Sequence, residues 1–220
     1  MLGRAGTLRQ PCFLLARRRL SRAQLSHADT PPIALARERL LVAFEVDCVL
    51  HAGGPSLSDD ALPQPRPGLV PFLTAAALQF DLMVFTQASA ERADAFLDSF
   101  DPNRLLLRHR LYKQHCWSVP GSAGLAKNLI LINRSPARLV LVDHQPVAFF
   151  HHFDNGILVP PYLADDADEA DAAHEEYHAS QLLPALFGLL DKLDVEDDVR
   201  PTLARLFSLR ERFASELTNG

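Results

Sequence analysis

Residues 40–54 read LLVAFEVDCVLHAGG. The opening LLVAFEV (40–46) is a continuous apolar run with β-branched members, the pattern of a strand covered on both faces. It delivers two carboxylates, Glu45 and Asp47, to the point where the strand should end. A loop rich in Gly, Ser, Asp and Pro follows over 52–67. Carboxylates in that place are worth following, because open α/β sheets gather their chemistry at the carboxyl ends of their strands.

Outward from this stretch the chain alternates in type. GLVPFLTAAALQF (68–80) reads as a helix entered through Pro67, since proline suits a first turn. DLMVFT (81–86) is a second buried strand, and SAERADAFLDSF (89–100) an amphipathic helix with Ser89 as its N-cap. RLLLRHRLYK (104–113), RLVLVD (138–143) and GILVP (156–160) read as the third to fifth strands. An acidic stretch, ADDADEADAAHEE (164–176), leads into SQLLPALFGLLDKL (180–193), whose leucines recur at helical spacing. VRPTLARLFSLRERFASEL (199–217) reads as one further amphipathic helix. This order predicts an α/β fold: a Rossmann-like, mostly parallel central sheet flanked by helices, with C-terminal helices. The boundaries expected are a basic extension over 1–30, the α/β domain over 31–195 and a C-terminal helix over 196–220.

With 220 residues, 48% of them hydrophobic, the chain can bury a real core. Its formal net charge of -5 argues against a general nucleic-acid binder. Cys12, Cys48 and Cys116 form neither a disulfide framework nor a zinc pattern. No stretch approaches the roughly 20 apolar residues that span a bilayer. The charge is uneven. Residues 1–28 hold Arg4, Arg9, Arg17, Arg18, Arg19 and Arg22 and no acid, with leucines and Phe13 between them. That is the composition of a mitochondrial transit peptide, and a basic surface helix or tail is the plainer alternative.

The strand ends supply Glu45 and Asp47, then Thr86, then Asp143, with Lys127 on the approach to the fourth strand. Carboxylates, a hydroxyl and a lysine together suit magnesium-assisted phosphoryl transfer: the acids hold the cation and one attacks phosphorus, while hydroxyl and ammonium bind the phosphoryl oxygens. The structural alternatives are a capping threonine and a solvated lysine. His151 and His152 read as a surface turn, because adjacent histidines diverge while metal sites need converging ones.

The ordered segments EVDCVLH, RPG (66–68), VFTQAS (84–89), RLYK (110–113), NRSPARLVLVD (133–143) and NGILVPPY (155–162) resemble the small C-terminal-domain phosphatase branch of the haloacid dehalogenase superfamily. Within it, the likeness extends to the presequence receptor subunit of the mitochondrial inner-membrane translocase, through NRSPARLVLVD and the later VEDDVR (195–200). The resemblance covers roughly residues 39–200 and implies a haloacid dehalogenase fold. It assigns Glu45 to the nucleophile position, where active members carry Asp, and Asp47 to the general acid, with Val49 fifth in the element. Thr86 matches the second-motif hydroxyl and Lys127 the phosphate-binding lysine. Asp143 matches a magnesium ligand, followed by His144 where many active members have Asn.

A glutamate in place of aspartate moves the attacking oxygen by about an ångström or more, and misplacement on that scale can cost ~100-fold. The expectation drawn is a degenerate site (Glu45, Asp47, Thr86, Lys127) in a pseudo-phosphatase that is not an enzyme. No cofactor is expected beyond a vestigial magnesium at Glu45, Asp47 and Asp143. The function expected is an accessory or scaffold subunit of a mitochondrial assembly, such as a respiratory complex, ATP synthase or mitoribosome. It would be peripheral to the inner membrane, in the matrix or intermembrane space, with nucleic acid near only if ribosome-associated. The receptor family carries a membrane anchor ahead of its domain and these 220 residues show none, which weighs toward that reading. The alternatives are a presequence-binding receptor module and a magnesium-dependent phosphatase with residual activity. Partner contacts are expected at Trp117 and Cys116, where the resembled receptor has a protruding hairpin, and at Arg17, Arg18 and Arg19. The acidic stretch would attract basic presequences or serve as a solvated connector.

Overall fold

The computed structural model describes residues 38–53, 63–122, 124–163 and 169–219. The basic segment 1–28, with Cys12, Arg17, Arg18 and Arg19, and residues 164–168 of the acidic stretch lie outside the described residues.

In chain order the elements are β1 (Leu41–Phe44), α1 (Leu69–Gln79), β2 (Asp81–Phe85), α2 (Ala90–Leu97), β3 (His109–Leu111), β4 (Cys116–Ser118), β5 (Leu125–Lys127), β6 (Leu139–Asp143), β7 (Gly156–Leu158), α3 (Glu169–Asp194), α4 (Arg200–Phe207) and α5 (Leu209–Asn219). Among the described residues one sheet runs β3-β2-β1-β6-β7. Every neighbouring pair in it is parallel. The expected α/β architecture is thus observed.

Two-sided burial explains the unbroken apolar run of β1. Val42 and Phe44 point to one face, against Leu69, Phe72 and Leu73 of α1, Phe96 of α2, and Leu186 and Leu190 of α3. Leu41 and Ala43 point to the other, with Met83, Phe85, Leu139, Leu141, Phe149 and Leu209. Fully burying one such side chain stabilises by about 1.5–3 kcal/mol. The C-terminal helices belong to this same core: Leu203 joins the first face and Leu209 the second.

Three expectations change. Of the strand read over 104–113, only His109–Leu111 pairs. The Asp101 carboxylate takes the backbone N–H groups of Leu105, Leu106 and Leu107, and this loop closure competes with a ladder. The helix read over 199–217 is two helices, broken at Ser208, whose backbone is left-handed (φ 46°, ψ 43°). The helix read over 180–193 begins earlier, at Glu169, and continues through Pro184. Among the described residues no helix is long and apolar enough to cross a membrane.

A separate two-stranded hairpin, β4 with antiparallel β5, pairs Cys116 with Lys127 and Trp117 with Ala126. Its importance lies in where it puts the lysine.

Candidate active site

Parallel pairing in register sets the ends of three strands side by side: Phe44 lies against Val84 of β2 and Val142 of β6. The residues just beyond, Glu45, Thr86 and Asp143, therefore converge although they are far apart in sequence. Lys127 arrives from off the sheet on β5 with its side chain wholly buried. Its ammonium donates to Glu45 Oε2 at 2.5 Å and to Asp143 Oδ2. Burial pulls the lysine pKa down, but the Asp143 and Glu45 carboxylates outweigh it and hold the value above the ordinary one.

The Glu45 side chain folds back over its own turn. Oε1 accepts from Val46 N–H at 2.7 Å, from Asp47 N–H at 3.3 Å and from the Thr86 hydroxyl. Oε2 accepts from Gln87 N–H at 3.1 Å besides Lys127. Two carboxylate oxygens thus draw five donors, supplied by the ends of β1 and β2 and by the hairpin. Asp143 Oδ1 accepts from Gln145 N–H at 2.9 Å and lies 3.5 Å from His144 Nδ1. The Gln87 amide donates to Leu125 O and Gln145 Oε1, both at 3.2 Å, tying the end of β2 to the hairpin and to the loop after β6.

Asp47 stands at the mouth. Its Oδ1 is 3.0 Å from Nε2 of buried His51 and 3.8 Å from the Arg92 guanidinium. His51 Nδ1 sits 2.6 Å from the Ala52 carbonyl oxygen and so carries a proton. Burial pushes the Asp47 pKa up, but the hydrogen bond and charge of His51, then Arg92 and His144, bring it below the usual value.

The loop that aims Asp47 is tightly made. Cys48 adopts a left-handed conformation (φ 60°), and a Cβ on Gly53 would stand 2.1 Å from the Cys48 sulfur, so any side chain there would push that sulfur aside. The arginine of the RPG segment closes the loop from outside: Arg66 donates to Val49 O at 2.7 Å and Cys48 O at 3.0 Å, and lies over the Tyr162 ring. Burial drops its pKa to about 10.

The expected residues Glu45, Asp47, Thr86, Lys127 and Asp143 are therefore brought together. Val49 is core. Trp117 is half exposed on β4, edge-on to His151, whereas Cys116 is partly buried and packs against the second core face. His152 turns away from His151 and meets Asn128 Oδ1 at 3.0 Å. Unforeseen are His51, Gln87 and Gln145, and the N–H groups of Val46, Asp47 and Gln87. Backbone donors leave no residue type to read, and nothing in a lone histidine marked its partner. A cavity of about 510 Å³ opens at the opposite end of the sheet, by Leu41, Asp81 and His109 at the starts of their strands, away from these groups.

Magnesium, which the resemblance implies, wants several free oxygen ligands. Glu45, Asp47 and Asp143 are right in kind. As placed they do not fit it: every carboxylate oxygen of Glu45 and Asp143 already accepts a hydrogen bond, and Lys127 fills the space between them. Among the described residues no group of three or more His, Cys, Asp or Glu side chains is arranged to hold a metal ion.

Comparison with known proteins decides the family. The family model described as NLI interacting factor-like phosphatase matches residues 48–200, including Thr86, Lys127 and Asp143 and starting just past Asp47. The chain belongs to the NLI interacting factor-like phosphatase family. It is 33% identical over 140 residues to CTD nuclear envelope phosphatase 1 of Xenopus tropicalis, covering 64% of this chain and 52% of that one. It is 32% identical over 103 residues to CTD small phosphatase-like protein 3 of Caenorhabditis elegans, covering 47% and 35%. The chain therefore spans about a third to a half of the length of these relatives. Among solved structures it is similar to the RNA polymerase II CTD phosphatase Fcp1, with 17% identity, a TM-score of 0.46 and coverage of 66% of this chain and 49% of that one.

These findings correct the functional expectation. A non-enzymatic accessory subunit of a mitochondrial assembly was expected; the family is one of phosphatases, and its relatives carry phosphatase names. They give no support to roles in protein import or the respiratory chain, and the finer likeness to a presequence receptor is not shown.

Proposed function

We propose that this chain of the NLI interacting factor-like phosphatase family is a phosphomonoesterase working through a carboxylate nucleophile. The observation that carries the reading is the convergence of five donors on the carboxylate oxygens of Glu45: three backbone N–H groups, the Thr86 hydroxyl and the Lys127 ammonium. Such a set binds and stabilises phosphoryl oxygens as negative charge builds up in transfer. Glu45 attacks phosphorus and forms an acyl phosphate as the ester P–O bond breaks, while Asp47 in its protonated form gives the leaving oxygen its proton. Water then attacks the acyl phosphate, Asp47 takes a proton from it, and inorganic phosphate leaves with Glu45 restored. Asp143 contacts no phosphoryl oxygen in this scheme; it holds Lys127 in place.

The test is hydrolysis of an aryl phosphate by the full chain, with and without added magnesium. Turnover should fall to background in Glu45→Ala and by about 10²–10⁴-fold in Asp47→Asn, the usual worth of a general acid. Absence of turnover in the wild-type chain, or turnover that survives Glu45→Ala, would overturn the proposal.

A further inference from the structure

We infer that the Glu45 carboxylate is the resting occupant of the phosphoryl cradle, so that a phosphomonoester must displace its own nucleophile to bind. The inference rests on the phosphatase reading and adds a competition to it. The five donors named above are all spent on Glu45, and each is one that a phosphoryl group would need. Two acceptor groups do not fit at once: Lys127 is completely buried, Glu45 is 1% exposed, and the far side of the lysine is closed by Asp143.

Side-chain length is what permits this. The extra methylene of glutamate, about 1.5 Å of chain, lets Oε1 curl back to the N–H groups of the next two residues. An aspartate anchored at the same Cα ends a bond earlier and leaves the cradle's donors free for a ligand. A cradle open only part of the time binds with an affinity reduced by that fraction, so tenfold weaker if it is open a tenth of the time. Glu45 therefore sets the affinity for phosphate as well as supplying the attacking oxygen.

The experiment is calorimetric titration of inorganic phosphate into the full chain, as wild type, Glu45→Ala and Glu45→Asp, with aryl phosphate turnover measured alongside. Phosphate should bind Glu45→Ala at least about tenfold more tightly than wild type, though this variant turns nothing over. Glu45→Asp should bind phosphate more tightly and turn over faster than wild type. Because Glu45→Asp keeps the negative charge, its gain separates release of the cradle from mere loss of repulsion. It also decides the matter should Glu45→Ala fail to fold. Phosphate binding no tighter in either variant, with wild-type turnover intact, overturns the inference and leaves the phosphatase reading standing. Phosphate binding by none of the three proteins, with no turnover, overturns both.

Discussion

Arg110 and Lys127 each have a wholly buried basic side chain between two carboxylates, and they are built for different ends. Arg110 of β3 donates to Asp94 of α2 and to Asp98 at the end of that helix, both at 2.6 Å, and to the Asp101 carbonyl at 3.1 Å. Its acids reach solvent: their side chains are 26% and 47% exposed. This is a bolt between a strand and the helix that covers it, with its acids open to solvent on the outer side. Lys127 lies between Glu45 and Asp143, whose side chains are 2% and 0% exposed. Nothing there fastens a helix. The ammonium instead sits where the ends of β1 and β6 face a hairpin, one positive charge between two negative ones. A planar guanidinium suits the fixed fork of a bolt, and a compact ammonium suits a place where one acceptor can be exchanged for another.

The largest expected contrast comes from removing each charge. Lys127→Met should cost about 3–5 kcal/mol in chemical denaturation, because it strands buried carboxylates. It should also abolish phosphate binding by calorimetry. Arg110→Met should cost about 1.5–3 kcal/mol, since its partners regain water, and leave phosphate binding as in the wild type. Equal loss of phosphate binding in both would break the distinction.

A smaller effect sharpens the role of the counter-charges. His152 is partly buried without a carboxylate beside it; burial, then the neighbouring His151, lowers its pKa from the ordinary 6.5. The opposite sign at Lys127 shows what two carboxylates do. Since unfolded His152 takes up its proton near pH 6.5 and folded His152 resists it, the contribution to stability is complete above that pH. It is lost as the pH falls from about 6.5 toward the folded value. Unfolding free energies measured at pH 7.5 and 5.5 should differ less in His152→Gln than in the wild type.

The smallest effect is kinetic. Burial pushes the Cys48 thiol up to about 11, helped by Asp47, Glu45 and Asp143; burial likewise pushes Cys116 to about 11, against the pull of Lys127. At pH 7.5 both should react with iodoacetamide about a hundredfold more slowly than a free cysteine, because only the thiolate attacks. Peptide mapping of the alkylated chain measures it, and rapid labelling of Cys48 would show that its sulfur is not buried as described.

Much of the sheet was legible because two-sided burial writes itself as unbroken apolar runs, as in 41–44, 81–85 and 139–143. The run over 104–113 misled for a physical reason: Leu105 is exposed, and the N–H groups around it belong to Asp101 rather than to a neighbouring strand. Ser208 broke a helix whose apolar spacing ran straight through it, since a single left-handed residue changes direction without changing composition. At the site, Glu45, Asp47, Thr86 and Asp143 could be placed as strand ends, and Lys127 through family likeness. The direction of Glu45, turned back upon its own turn, has no signature in the order of residues.

By itself, then, the sequence LLVAFEVDCVLHAGG determined a buried strand with acids at its carboxyl end, because side-chain polarity along a strand is a local property. Which acid Lys127 holds, which donors Glu45 consumes and whether a phosphoryl group can enter were decided only by the tertiary structure. Those are properties of distance between chain segments, here 82 residues apart for Glu45 and Lys127. Hydrogen bonds answer to distance and angle, which parallel pairing of β1, β2 and β6 and the docking of one hairpin supply.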